Sequence, residues 1–176
     1  MNGNLILVDE QDREIGEGEK MDVHRKGQLH RAFSIFVLND QNELLIQRRA
    51  KVKYHSGGLW GNTCCSHPIK GERQEVTVHR RLREEMGFDC DLKEVFSFIY
   101  RADLDKGLVE HEYDYVYFGR FNGTPVPNPE EVDEYKWIAL DKLDHELEAN
   151  PDEYVYWIKP AFKEFYKRFS ENSIPV

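Results

Sequence analysis

The sequence predicts an α+β fold from three observations: strand-like segments near the start, further strands after the middle, and amphipathic helical segments between and after them. The 176 residues include 40% hydrophobic and 12% aromatic residues, which is enough for one globular core. The Pro-rich stretch from Thr124 to Pro129 is too short to separate two domains. We therefore expect residues 1–176 to form a single domain.

Six segments have the β-branched and aromatic content of strands. The first two are "NLILVD" (4–9) and "RAFSIFVL" (31–38), and "ELLIQRR" (43–49), after the turn "NDQN", is predicted to form a hairpin with the second. The later segments are "VFSFIYRA" (95–102), "EHEYDYVYFGRF" (110–121) and "EYKWIAL" (134–140). The stretch "NGTPVPNPEE" (122–131) is predicted to be a loop.

A helix is predicted from Glu72 to Met86, because Val78, Leu82 and Met86 recur every four residues among charged ones. Gly87 follows at the position where a helix commonly ends. Two further helices are predicted over residues 141–149 and 151–169.

The composition narrows the possible partners. A net charge of −9 argues against a general nucleic-acid binder and favours a small anionic ligand held in a local basic pocket.

No apolar run approaches the roughly 20 residues of a membrane span, and the first 20 residues lack signal-peptide features. Three cysteines, two of them adjacent, favour reduced thiols over a disulfide framework. We expect a cytoplasmic protein that does not bind membranes.

The predicted helix carries much of the Nudix signature, Gly-x5-Glu-x7-Arg-Glu-U-x-Glu-Glu-x-Gly-U, in which U is a bulky aliphatic residue. The matching positions are Glu72, Arg80, Glu84, Glu85 and Gly87. Ser66 replaces the leading glycine, and Arg81 replaces the glutamate after the arginine. The alternative is a solvated helix face with Arg81 and Glu85 as an ordinary i,i+4 ion pair, and the charges alone favour that alternative.

The flanking segments decide between these interpretations. "LHRAFSIFVL", "LLIQRRA", "LWGNTCCSHP", "RRLREEMGF" and "VEHEYDYV" occur in this order, and together they resemble the type I isopentenyl diphosphate isomerases, a metal-dependent branch of the Nudix superfamily. The resemblance runs from about Lys20 to Trp157. It implies a Nudix-like mixed β-sheet core flanked by α-helices, and a flavin-independent enzyme of isoprenoid biosynthesis that interconverts isopentenyl and dimethylallyl diphosphate.

That reaction places demands on the site. Protonating an unactivated alkene creates a tertiary carbocation, so the site needs proton-handling groups on opposite sides and must exclude water. A thiol is largely protonated near neutral pH and tolerates a dry pocket. The resemblance assigns the catalytic thiol to Cys65, two residues before His67, whereas Cys64 is expected to be a small buried residue.

Glu110 and Glu112 stand at i and i+2, so on a strand both carboxylates point to one face, while His111 and Tyr113 point to the other. The resemblance implies a five-ligand metal site and a proton-transfer role for Glu112. A set of imidazoles and carboxylates suits Zn²⁺ or Mn²⁺. The implied ligands are His24, His30, His67, Glu110 and Glu112.

The substrate class that the resemblance implies is a small allylic or homoallylic diphosphate, whose charge must be held by cations, with Mg²⁺ bridging its oxygens. Glu85 matches the carboxylate that helps bind Mg²⁺, and Tyr100 matches a tyrosine that orients the catalytic glutamate. Trp157 is the candidate aromatic face for the developing carbocation. The matching basic residues are Lys20, Arg49, Lys53 and Arg81.

Two other functional classes stay open from the residues alone. One is a Nudix-type diphosphate hydrolase, against which the incomplete signature helix argues. The other is a protein that binds a metal only for structure, although no Cys-x-x-Cys pair supports it. The sequence is compatible with a monomer or a homodimer.

Overall fold

The computed structural model describes residues 3–174, which form a sheet of nine strands with helices on both faces. Within this range, no helix combines the length and the apolar character needed to cross a membrane. The strands are β1 Leu5–Val8, β2 Glu14–Gly18, β3 His30–Leu38, β4 Glu43–Arg49, β5 Trp60–Gly61, β6 Cys64–Ser66, β7 Leu92–Asp103, β8 Val109–Arg120 and β9 Val132–Ala139. The helices are α1 Lys20–Lys26, α2 Gln74–Met86, α3 Leu140–Ala149 and α4 Ile158–Ser170, with short 3-10 turns at Asp105–Gly107 and Pro151–Glu153.

Strand β3 organises the sheet. It pairs in parallel with β8 along its whole length, and β8 pairs antiparallel with β7. Strand β6 pairs antiparallel with the middle of β3. The expected β3–β4 hairpin is present, although the register joins the strands only at Leu38 and Leu44, and the long partner of β4 is β9. The predicted mixed sheet is therefore confirmed.

The hydrophobic core lies on both faces of this sheet. Because side chains alternate along a strand, Phe33 and Ile35 of β3 face one side and Phe36 the other. The first side is covered by α2 through Val78, Leu82 and Met86, as the four-residue spacing predicted. The second side is covered by α3 and α4. Flanking of the sheet by helices is thus confirmed.

The predicted helix over residues 151–169 is wrong at its start. The chain makes a 3-10 turn at Pro151–Glu153, and the backbone N–H of Val155 then donates to the carbonyl of Trp60 at 2.8 Å. Helix α4 begins only at Ile158, which places Pro160 in the first turn, where a missing N–H costs nothing. Four short elements were not predicted: β2, α1, β5 and β6.

Candidate functional site

Strand register brings the predicted carboxylates together with two distant side chains. Glu110 and Glu112 lie on one face of β8 and are both buried, whereas His111 and Tyr113, on the other face, are partly exposed, as predicted. The parallel β3–β8 register places His30 opposite Glu112. The antiparallel β7–β8 register places Tyr100 opposite the same residue.

Helix α1 and the start of β3 supply two buried imidazoles. Nδ1 of His24 lies 2.6 Å from the carbonyl oxygen of Lys20, and Nδ1 of His30 lies 2.8 Å from that of Gln28. A carbonyl oxygen only accepts, so each Nδ1 carries a hydrogen, and in the neutral ring each Nε2 keeps a free lone pair. This arrangement is common among histidines that ligate metals, because the backbone bond fixes both the tautomer and the ring orientation.

Five residues converge on one point. One ligand atom from each lies within 4.8 Å of the others, and the group consists of His24, His30, His67, Glu110 and Glu112. Nε2 of His24 lies 3.4 Å from Oε1 of Glu110. Oε1 of Glu112 lies 2.8 Å from Nε2 of His67 and 3.6 Å from Nε2 of His30. These are the five residues for which the resemblance implied a metal.

The unpartnered atoms in this group fit a divalent cation. Among the described residues, Nε2 of His24, Nε2 of His30 and Oε2 of Glu110 are buried without a hydrogen-bond partner. Buried polar atoms rarely stay unsatisfied, and an ion at their centre would satisfy all three. Imidazole nitrogens with carboxylate oxygens are a donor set that Zn²⁺ and Mn²⁺ accept. The group therefore has the composition and the orphaned atoms expected of a metal site.

The pKa shifts of two members also suit metal binding. Burial lowers the pKa of His67 well below its usual value, and the neighbouring His30 lowers it further, so the ring is neutral. Burial alone would raise the pKa of Glu112, but the neighbouring Glu110 and His30 lower it to about 2. A neutral imidazole and an ionised carboxylate are the forms that bind metals.

The two adjacent cysteines face opposite ways because the segment is a strand. Both lie in β6, where Cys65 pairs with Ser34 of β3. Cys64 is fully buried in the core beneath α2, whereas Cys65 and His67 line one cavity. Burial raises the pKa of Cys65 to about 12, so its thiol stays protonated.

Tyr100 and Trp157 line the same cavity. The hydroxyl of Tyr100 donates to Oε2 of Glu112 at 2.6 Å, which is the contact that the resemblance implied. Trp157 is buried immediately before α4, and its ring lies 5.5 Å from the guanidinium carbon of Arg49. Its indole N–H has no hydrogen-bond partner among residues 3–174.

The four predicted diphosphate-binding cations line this cavity as well: Lys20, Arg49, Lys53 and Arg81. Burial lowers the pKa of Lys20 to about 8, and the nearby charge of Lys53 contributes to this shift. Arg81 donates to Glu85 at 2.5 Å and to Glu84 at 2.6 Å. The i,i+4 pair therefore exists, but it lies at the cavity and not on a fully solvated face.

Glu85, the predicted Mg²⁺ ligand, lines the cavity but lies outside the five-residue group. Its Oε1 accepts from Arg81 and its Oε2 accepts from Gln47 at 3.0 Å. Both oxygens are thus already held by donors, and a bound ion would have to share them.

Three residues at the site had no predicted role. The ring of Tyr54 lies 4.2 Å from Nζ of Lys20. Nε2 of His55 lies 2.7 Å from Oε1 of Glu110. Glu131 forms ion pairs with Lys53 and Arg81. No spacing in the loops that carry these residues marks them, so sequence patterns gave no signal for them.

Comparisons with known proteins agree with this geometry. A family model described as the NUDIX domain matches residues 28–158. Similar curated proteins include an isopentenyl-diphosphate Delta-isomerase 2 from Photorhabdus laumondii, 54% identical over 90% of this chain and 90% of its own length. Another from Aromatoleum aromaticum is 51% identical over 90% of this chain and 84% of its own length.

Solved structures support the same fold. A Deinococcus radiodurans crystal structure has a TM-score of 0.70 at 23% identity, covering 84% of this chain and 90% of its own. A MutT protein from Methanosarcina mazei has a TM-score of 0.66 at 17% identity, covering 80% and 94%.

Proposed function

The chain belongs to the isopentenyl-diphosphate Delta-isomerase family of the NUDIX superfamily, and on that premise we propose that it interconverts isopentenyl and dimethylallyl diphosphate. The observation that carries this proposal is the shared cavity. Two proton-handling groups, Cys65 and the hydrogen-bonded pair of Glu112 and Tyr100, line it together with four cations suited to a diphosphate.

The two proton-handling groups suit a balanced transfer. A thiol whose pKa is about 12 holds a proton, and Cys65 can give it to the terminal alkene carbon. The ionised carboxylate of Glu112 can then take a proton from the carbon on the other side of the cation. Tyr100 keeps that carboxylate oriented through its hydrogen bond. One proton is added and one is removed, so the substrate neither gains nor loses hydrogen. Cys65 is left as a thiolate and Glu112 as a carboxylic acid, and proton exchange with solvent restores both before the next turnover.

The surroundings of these groups protect a carbocation. Trp157 and Tyr100 are both largely buried and present aromatic surface to the cavity, which excludes water and attracts positive charge. A divalent ion held by the five-residue group would supply positive charge that fixes Glu112 as an ionised carboxylate. We propose that this ion is Zn²⁺ or Mn²⁺. Its ligands would be His24, His30, His67, Glu110 and Glu112.

Several finer assignments form part of the same proposal. Lys20, Arg49, Lys53 and Arg81 would bind the diphosphate, and Glu85 would help hold a Mg²⁺ ion that offsets the charge of the diphosphate. We further propose one domain over residues 1–176, a cytoplasmic location, and no nucleic-acid partner.

The hydrolase alternative is less favoured by the site. Nudix hydrolases rely on carboxylates of the signature helix to bind the metal ion needed for hydrolysis. Here Arg81 stands at one of those positions, and it engages both Glu84 and Glu85. The structural-metal alternative is also weakened, because the five-residue group lies beside a cavity lined by Cys65 and four cations.

The test is incubation of the purified protein with isopentenyl diphosphate and a divalent metal, with product identity and phosphate release followed in parallel. We expect the dimethylallyl isomer without phosphate release. Phosphate release without the isomer would instead support the hydrolase.

A further inference from the structure

Glu131 is the last residue of the loop formed by residues 122–131, directly before β9. Its carboxylate lies among the proposed diphosphate-binding cations. Nζ of Lys53 donates to its Oε2, and a guanidinium nitrogen of Arg81 lies 3.5 Å from its Oε1. The three side chains are only 18–22% exposed. Two cations that would receive the substrate are therefore already paired with a carboxylate of the protein.

The backbone fixes this carboxylate in place. The loop is docked on the end of α2, where the N–H of Val126 donates to the carbonyl of Met86 at 3.0 Å. The N–H of Asn128 donates to the carbonyl of Glu85 at 2.9 Å. The carbonyl of Glu131 accepts from the N–H of Ala50 at 3.0 Å, which ties it to the segment that carries Lys53.

The same loop also packs closely against Gly87. This residue ends α2 with φ +73°, and a Cβ there would lie 2.1 Å from the carbonyl oxygen of Val126. Only glycine allows this approach. The position of Glu131 is thus set by the fold and not by the ion pairs alone.

A fixed negative charge discriminates between anions by their charge. The repulsion between a fixed carboxylate and an incoming anion grows in proportion to the negative charge of the anion. This repulsion is stronger where the charges are largely shielded from water, as the side chains of Glu131, Lys53 and Arg81 are. Metal-free diphosphate carries more negative charge than diphosphate bound to Mg²⁺. A carboxylate beside the site therefore penalises the metal-free form more than the metal-bound form.

We propose that Glu131 is a specificity-determining residue that makes the site favour metal-bound over metal-free diphosphate. This inference rests on the proposed function, because it assumes that Lys53 and Arg81 bind the diphosphate. In the substrate-free protein, Glu131 partly neutralises Lys53 and Arg81. When diphosphate binds, the carboxylate of Glu131 repels the metal-bound form less than the metal-free form.

The test measures the affinity of inorganic diphosphate by calorimetry, with and without added Mg²⁺, in the parent protein and in Glu131→Gln. Loss of the carboxylate should tighten metal-free diphosphate on the order of tenfold and the Mg²⁺ complex much less. The matched control is Glu130→Gln, which removes the same formal charge from an exposed neighbour in the same loop. That control should leave both affinities near the parent values.

Glu131→Ser, which is neutral and smaller, should show the same preference change, so the test does not depend on one variant folding. An unchanged ratio of the two affinities in folded Glu131→Gln or Glu131→Ser would overturn the role of Glu131 while leaving the proposed function intact. Failure of the parent to bind diphosphate in either form would contradict both.

Discussion

The hydroxyl of Tyr100 donates a 2.6 Å hydrogen bond to Oε2 of Glu112, and the two residues lie directly opposite each other on β7 and β8. Both are buried. The other oxygen of Glu112 lies 2.8 Å from Nε2 of His67. One carboxylate thus joins the five-residue group to the cavity in which the substrate would react, and its two oxygens are held by different partners.

Replacing Tyr100 by phenylalanine should slow turnover while leaving the metal content unchanged. A hydrogen bond to a charged group contributes about 1.5–3 kcal/mol, so a loss of at least about tenfold in kcat is expected. Steady-state kinetics with metal analysis checks this. Tyr113→Phe, on the opposite face of β8, is the matched control and should keep parent turnover. Parent kcat in Tyr100→Phe would show that the hydrogen bond has no role in the reaction.

Glu110→Gln should weaken metal binding, whereas Glu112→Gln should reduce turnover even in protein that retains metal. The reason is that only Glu112 contacts Tyr100 and takes part in the proposed proton transfer. Metal affinity by calorimetry and turnover of metal-loaded protein separate the two effects. Equal turnover by metal-loaded Glu112→Gln and the parent would contradict the assignment.

Cys65→Ala should lower kcat by about 10²–10⁴-fold, because it removes the proton-handling group on one side of the alkene. Cys64→Ala is the matched control, since Cys64 is fully buried in the core and faces away from the cavity. It should lower the free energy of unfolding by about 1 kcal/mol and keep most of the activity. Circular dichroism confirms folding of each variant. A folded but inactive Cys64→Ala variant would show that Cys64, and not Cys65, carries the catalytic thiol.

The pH dependence should report Lys20. Its pKa is lowered to about 8 by burial and by nearby cations, so the ammonium is charged below that pH and neutral above it. If it binds the diphosphate, kcat/KM, which reflects the free enzyme, should be full below pH 8 and should fall as the pH rises through it. Lys20→Arg stays charged and should move this fall to higher pH. An identical profile for the two proteins would exclude Lys20 as the titrating group.

Local sequence patterns predicted the elements whose periodicity is strong. Helix α2 was found from Val78, Leu82 and Met86, and all three are buried against the sheet. The shared face of Glu110 and Glu112 followed from strand alternation. The short α1 gave no periodic signal, although His24 lies in it. Pro160 was not recognised as a first-turn residue, so α4 was predicted to start too early.

The assembly of the site depends on long-range pairing that periodicity does not reveal. His30 meets Glu112 only because β3 and β8 are parallel neighbours, although they are separated by more than 70 residues. The family resemblance supplied that information by naming residues from both strands. It said nothing of His55 or Glu131, whose contacts arise from loops without regular spacing.

In the proposed reaction, a solvent-exchangeable proton is added to the alkene through Cys65. Isomerisation of isopentenyl diphosphate in deuterium oxide, analysed by mass spectrometry and NMR, follows that proton into the product. A thiol exchanges its hydrogen with solvent, so dimethylallyl diphosphate formed by the parent should carry solvent deuterium in a methyl group, and folded Cys65→Ala should form almost none. Deuterium-free dimethylallyl diphosphate from the parent, or labelled product at the parent rate from Cys65→Ala, would show that the added proton does not come from Cys65.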